Sequence, residues 1–121
     1  MMEVSQSVKD ADHWNQILAI SEQKLVVVDL HRSWCGPCKI MEPTYKRLIA
    51  EIENAQERLL FVSLDQSMLL IETENTPSCK PRFLLFRERK PIVEIAGANA
   101  PKLDFLVRQH CPSLKSDDED P

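Results

Sequence analysis

Two cysteines flank Gly36-Pro37 in the stretch Trp34-Cys35-Gly36-Pro37-Cys38-Lys39. The pair follows a β-branched apolar run and precedes a helical pattern, a setting that reads as a redox dithiol. With Cys35 ending a loop and Cys38 one turn into a helix, the two sulfurs reach disulfide distance with little backbone movement. The same placement sets Cys35 over a helix N-terminus, where unpaired N–H groups and the helix dipole stabilise a thiolate. Only the thiolate attacks a disulfide, so this position makes the thiol reactive near neutral pH. Gly36 lets another chain approach closely. Pro37 suits the first helical turn, where its missing N–H would have no partner. A C-x-x-C pair also occurs in zinc sites. Such a site needs a second pair, and Cys79 and Cys111 do not share the spacing. No metal and no organic cofactor is expected.

The elements that must position this pair follow from periodicity. Residues 3–8 alternate weakly and suit a short edge strand. Asp10 or Asp12 can cap a helix over about 11–20, where Trp14, Ile17 and Leu18 recur at helical spacing. His13 reads as an exposed helix residue. Leu25–Leu30 is nearly all apolar, as in a strand covered on both faces, and Asp29 interrupts it. A carboxylate there is costly to bury charged, so its pKa should rise. Ile40, Met41, Tyr45, Leu48, Ile49 and Ile52 share one helical face, with Pro43 inside the pattern and expected to kink it. Leu59–Leu64 is a second buried strand, and Asp65 can cap a short helix over about 66–73. Phe83–Phe86 and Ile92–Ile95 read as an antiparallel hairpin. The usual turn glycine is missing, so its loop is expected to exceed two residues. Pro91 marks an edge strand. A last helix over about 100–110 presents Leu103, Leu106 and Val107 on one face. The order is α/β.

Composition sets further bounds. The chain has 121 residues and a net charge of −4, enough length for one domain with a real core. Lys115–Pro121 holds one lysine and four acids. The body is therefore nearly neutral, which gives no support to nucleic-acid binding. Two regions are expected: a folded domain over 1–113 and a solvated, disordered acidic tail over 114–121. No apolar run reaches the roughly eighteen residues that would suggest a membrane span, and the first residues lack a signal pattern. The expectation is a cytoplasmic protein with its cysteines mainly reduced.

The Trp-Cys-Gly-Pro-Cys-Lys stretch resembles the active-site motif of the thioredoxin family, and the resemblance covers roughly residues 4–112. It implies the thioredoxin fold, a central mixed β-sheet flanked by helices, and exchange of the Cys35/Cys38 dithiol with protein disulfides. Recycling by a thioredoxin reductase is implied as well. Asp29, six residues before Cys35, matches the family's buried aspartate, implied to move protons to and from Cys38. The bland alternative is an idle strand-end carboxylate. Pro81 matches a cis proline that stands before a strand and faces the dithiol. Gly97 matches a glycine near the substrate groove. Trp34, Gly36, Pro37, Pro81 and Gly97 would line that groove.

Several residues depart from the family pattern. Glu42 and Phe61 stand where a lysine often neighbours the aspartate, and losing that cation should raise the Asp29 pKa further. Arg82 replaces a common threonine, so it would favour acidic partners or stabilise the Cys35 thiolate. His31 and Arg32 either place positive charge near Cys35 or are plain loop side chains. Cys79 is a candidate regulatory thiol, with an ordinary loop thiol as the alternative. Cys111 reads as structural or incidental. Cys79–Phe86 together with Ile95–Pro101 is also similar to the thioredoxin-like light chains of ciliary and flagellar outer-arm dynein. That narrower resemblance implies binding to a dynein heavy chain in an axoneme. Two alternatives stand beside it: a freely diffusing cytosolic thioredoxin, and a redox-sensitive interaction subunit with little turnover.

Overall fold

The computed structural model describes residues 5–31, 39–68 and 82–112. Within them a five-stranded sheet runs in the order β1-β3-β2-β4-β5. The strands are β1 Gln6–Ser7, β2 Leu25–His31, β3 Leu59–Asp65, β4 Arg82–Arg87 and β5 Lys90–Ala96. β1, β3 and β2 are mutually parallel, and β4 and β5 are antiparallel to their neighbours. The helices are α1 Ala11–Ile20, α2 Glu42–Glu51, α3 Ala55–Arg58 and α4 Ala100–His110. This is the mixed sheet with flanking helices that the sequence implies.

β2 is the central strand, and Leu25 through Leu30 are all buried. Alternation along the strand sorts its side chains onto two faces. Val26, Val28 and Leu30 join Trp14 and Ile17 of α1, with Val62, Leu64, Leu84 and Phe86, in one apolar cluster. Trp14 meets Phe86 edge to face, ring centroids 5.4 Å apart. Leu25 and Val27 join Met41, Tyr45 and Leu48, Leu103 and Val107 of α4, and Phe61, Phe83 and Ile95 in the other.

Local chemistry sets the helix ends. Asp10 caps α1 by accepting the His13 N–H at 2.8 Å, and Asn99 caps α4 by accepting the Lys102 N–H at 3.1 Å. Asp65 accepts the Ser67 N–H at 2.9 Å and so opens a 3₁₀ turn over Gln66–Met68. The remainder of the helix expected over 66–73 lies outside the described residues, as does the acidic tail.

Four sequence expectations are corrected. Pro43 does not kink a helix. A 3₁₀ turn over Lys39–Met41 precedes α2, and Pro43 sits in the first turn of α2, where no N–H is needed. Ile40, assigned to the core face, is 74% exposed, because the change of helix type rotates it away from that face. His13 is half-buried, and its Nδ1 accepts the Lys9 N–H at 3.0 Å. The β4–β5 loop is a two-residue turn after all, with Arg87 opposite Lys90. Glu88 and Arg89 both have positive φ, 53° and 69°, as a type I′ turn requires even without glycine.

Contacts with the C-terminal end of α1 offset that strained geometry. The Glu88 N–H donates to the Ser21 carbonyl at 2.8 Å. The Arg89 N–H donates to Ser21 Oγ at 2.8 Å. Arg87 reaches the carbonyls of Ser21 and Lys24, and Arg89 pairs with Glu22. Ser21 itself is fully buried.

Candidate functional site

Trp34, Cys35, Gly36, Pro37, Cys38, Cys79 and Pro81 lie outside the described residues, as does Arg32. The framework on either side of them is described. β2 ends at His31, and the chain reappears at Lys39 in the turn that leads into α2. β2 and β3 are parallel, so α2 between them runs back along the sheet. The dithiol segment thus joins the C-terminal end of the central strand to the start of α2.

Asp29 is 3% exposed. It shares the face of Leu25 and Val27 by alternation, which is the face covered by α2 and α4. Its register partners are Ser63 on β3 and Phe83 on β4. The sequence reading set Phe61 beside this carboxylate. The register sets Phe61 opposite Val27 instead, where it stacks on Tyr45 with centroids 4.3 Å apart. Ser63, 4% exposed, holds the place beside Asp29. Its Oγ lies 3.3 Å from Ser7 Oγ on β1, and both pairs of serines and acid are in register. Glu42 is the first residue of α2 and is half-buried.

The same end of the sheet collects other residues singled out from sequence. His31, half-buried, is opposite Asp65. Arg82 is opposite Leu30 on β2 and Ala96 on β5, and Gly97 follows Ala96 with φ 88°. Glycine is the residue that takes this backbone geometry without steric cost. The Gly97 carbonyl accepts the Asn99 N–H at 3.0 Å. Arg82 Nε donates to Glu94 Oε2 at 2.6 Å, and a second guanidinium nitrogen pairs with the same oxygen. Glu94 therefore shares the Arg82 charge that the sequence reading offered to a partner or to Cys35.

Sequence reasoning missed Ser63, Ser7 and Glu94. Ser63 is the one hydroxyl in the run Leu59–Leu64, which was a usable signal, but pairing it with Asp29 requires the strand register.

Two further groups frame this face. Asp104 of α4 accepts from Arg108 at 2.6 Å and from Arg47 of α2 at 2.9 Å. Arg108 also reaches Glu51 at 2.5 Å. The Arg108 hydrogen bond, with that of Arg47, holds the Asp104 carboxyl below its ordinary range despite some desolvation. Cys111 is a free thiol packed against the α2/α4 core. Burial pushes its pKa up, against an opposing pull from Arg58. A thiol so raised is a poor nucleophile at neutral pH, which fits the structural reading of this residue. Among the described residues, no helix is long and apolar enough to cross a membrane, and no three His, Cys, Asp or Glu side chains cluster as metal ligands.

A mixed sheet of this order, with a buried acid on the central strand and a Cys-Gly-Pro-Cys link to the next helix, defines a thioredoxin-fold protein. Residues 4–108 match the thioredoxin family profile, and the chain belongs to the thioredoxin family. It is 33% identical over 96 residues to the 14 kDa light chain of the flagellar outer-arm dynein of Chlamydomonas reinhardtii, covering 79% of this chain and 73% of the relative. It is 34% identical over 96 residues to Thioredoxin-2 of Pyricularia oryzae, covering 78% of this chain and 54% of that protein. The solution structure of oxidised thioredoxin from Plasmodium falciparum superposes with a TM-score of 0.65 at 26% identity, covering 89% of this chain and 99% of that one.

Proposed function

We propose that this chain exchanges disulfides through Cys35 and Cys38, and that it does so as a thioredoxin-like subunit of an axonemal outer-arm dynein. The Cys35 thiolate attacks a protein disulfide and forms a mixed disulfide. Cys38 gives its proton to Asp29, attacks the Cys35 sulfur and releases the reduced partner. Trp34, Gly36, Pro37, Pro81 and Gly97 line the groove that receives the partner chain, and Arg82 with Glu94 stands at its edge.

The observation that carries this reading is the burial of Asp29. A carboxylate 3% exposed on a central strand is costly to hold as an ion, and it lies on the face that α2 and α4 cover. An acid so placed is suited to take up a proton at the moment Cys38 becomes a nucleophile. Family membership supports the chemistry. Likeness to a flagellar dynein light chain supports the assembly and an axonemal location.

Insulin reduction driven by thioredoxin reductase tests the chemistry. Turnover is expected for the wild-type chain, none for Cys35→Ser, and stable mixed disulfides with partner proteins for Cys38→Ser. Wild-type turnover no greater than that of Cys35→Ser would overturn it. Co-sedimentation with outer-arm dynein from axonemes tests the assembly. Binding by the Cys35→Ser variant as well as by wild type would favour an interaction subunit whose docking does not depend on redox state.

A further inference from the structure

At the end of the sheet opposite the dithiol segment, four cations stand in a row. Arg58 precedes β3, Lys24 precedes β2, Arg87 ends β4 and Lys90 opens β5. The register keeps them level: Leu25 pairs with Leu59, Val26 with Phe86, and Arg87 with Lys90. At about 4.8 Å per strand the row spans about 14 Å. We propose that Asp117, Asp118, Glu119 and Asp120 of this chain fold back onto this rim and cover Cys111. The inference stands apart from the dithiol reading.

Among the described residues the arginines divide into two groups. Arg47, Arg82, Arg89 and Arg108 each pair with a carboxylate. Arg58 and Arg87 do not. Arg58 donates to the Pro112 and Glu53 carbonyls at 2.7 and 2.8 Å. Arg87 donates to the Ser21 and Lys24 carbonyls at 3.2 and 3.3 Å. Lys24 likewise donates to the Gln56 carbonyl at 2.7 Å. A carbonyl takes up a hydrogen bond but leaves the positive charge in place, and a guanidinium has five N–H groups to share. Glu53, Glu57 and Glu88 lie next to the row in sequence, yet among the described residues none forms an ion pair with these four cations. Glu22 is engaged by Arg89.

The chain leaves the described fold at this rim. The bond from Arg58 to the Pro112 carbonyl fixes the departure point. Both guanidinium charges act on the thiol of the preceding residue, Cys111. Asp117 is five residues beyond Pro112, and five extended residues reach about 17 Å, more than the width of the row. Tethering holds the acids beside the cations at roughly millimolar effective concentration. Each exposed pair is weak alone and is screened by salt. The seat therefore needs several acids acting together and empties as salt rises.

Alkylation of Cys111 in the full chain by iodoacetamide, read by peptide mass spectrometry at low and high salt, tests the cover. Wild type is expected to react roughly three- to tenfold more slowly at low salt, the closure that a few weak pairs supply. Screening of Arg58 and Arg87 alone would slow the reaction as salt rises, so the sign separates cover from screening. The neutral-tail variant Asp117→Asn/Asp118→Asn/Glu119→Gln/Asp120→Asn changes only residues beyond the last described element. It is expected to react at low salt as fast as wild type does at high salt, with insulin turnover the same in both chains. Carbodiimide coupling locates the seat. Links from residues 117–120 to Lys24 or Lys90 should exceed those to Lys39, at the other end of the sheet. They should join residues of one molecule when isotopically heavy and light chains are mixed.

Equal Cys111 rates in wild type and the neutral-tail variant at low salt would overturn the proposal. Links spread evenly over Lys24, Lys39 and Lys90 would overturn it too. Links found only between heavy and light chains would assign the rim to a second copy and overturn the fold-back. Loss of insulin turnover in both chains would remove the dithiol reading and leave this one standing.

Discussion

The two faces of the sheet are built from different materials. On the α1 side, Val8, Trp14, Ile17, Val26, Val28, Leu30, Val62, Leu64, Leu84 and Phe86 make an apolar layer. On the α2/α4 side the layer is also apolar at its centre, but Asp29 and Ser63 are set into it, and Arg47, Asp104, Arg108 and Glu51 tie α2 to α4 above it. Among the described residues, the first face is apolar between the strands and α1, with its one buried hydroxyl, Ser21, set at the end of α1. The second accepts the cost of buried polar groups at the end of the sheet where the Cys-x-x-Cys segment departs. The alternation of side chains along β2 thus sets purely apolar residues of that strand on one side and its buried acid on the other.

The sharpest way to break this division is Trp14→Ala. It removes an aromatic ring 5% exposed and should cost about 3–5 kcal/mol in a denaturant melt. The alkylation rate of Cys35 in the folded fraction should not change. A changed rate would mean that the α1 face shapes the site.

Asp29→Leu should act in the opposite sense. An alkyl group is cheaper to bury than a carboxylate, so stability should rise by about 1–3 kcal/mol. Insulin turnover should fall on the order of a hundredfold, the usual effect of losing a general base. A variant both less stable and fully active would collapse the contrast between the faces.

Ser21→Ala tests the contacts at the far end of the α1 side. It leaves the Arg89 N–H without its Ser21 acceptor, at a cost of about 0.5–1.5 kcal/mol, and turnover should be untouched. The smallest effect is expected from Asp104→Asn, about 0.5–1 kcal/mol for a partly exposed ion pair. Because the folded Asp104 pKa lies below 3.8, its contribution is complete above that value. It is lost as pH falls through the folded pKa. Wild type and variant should therefore differ in melting temperature at neutral pH and converge in strong acid, and salt should narrow the gap.

How much of this was legible in the sequence depended on how local the cause was. β2 and β3 were readable because an unbroken apolar run needs cover on both sides. α1 and α4 were readable because their apolar residues recur at 3.6-residue spacing, with Asp10 or Asp12 available to cap the first. Asp29 stood out as the one acid in its run. The neighbour of Asp29 was misread because register is a property of two strands, and a shift of two residues exchanges Phe61 for Ser63. Pro43 and Ile40 were misread because helical spacing was carried unbroken through a change from 3₁₀ to α geometry. The four-residue α3, Ala55–Arg58, is too short to show a period. The dithiol was plain in the sequence, and its geometry lies outside the described residues.

The turn at Glu88 and Arg89 has a consequence for how the chain reaches this structure. Its backbone geometry is favoured by neither residue, and the hydrogen bonds that compensate come from Ser21, far away along the chain. A peptide spanning only β4 and β5 should therefore remain open in water. In the whole chain, pairing of these strands should await the arrival of α1, so the hairpin closes late and Ser21→Ala speeds unfolding more than it slows folding.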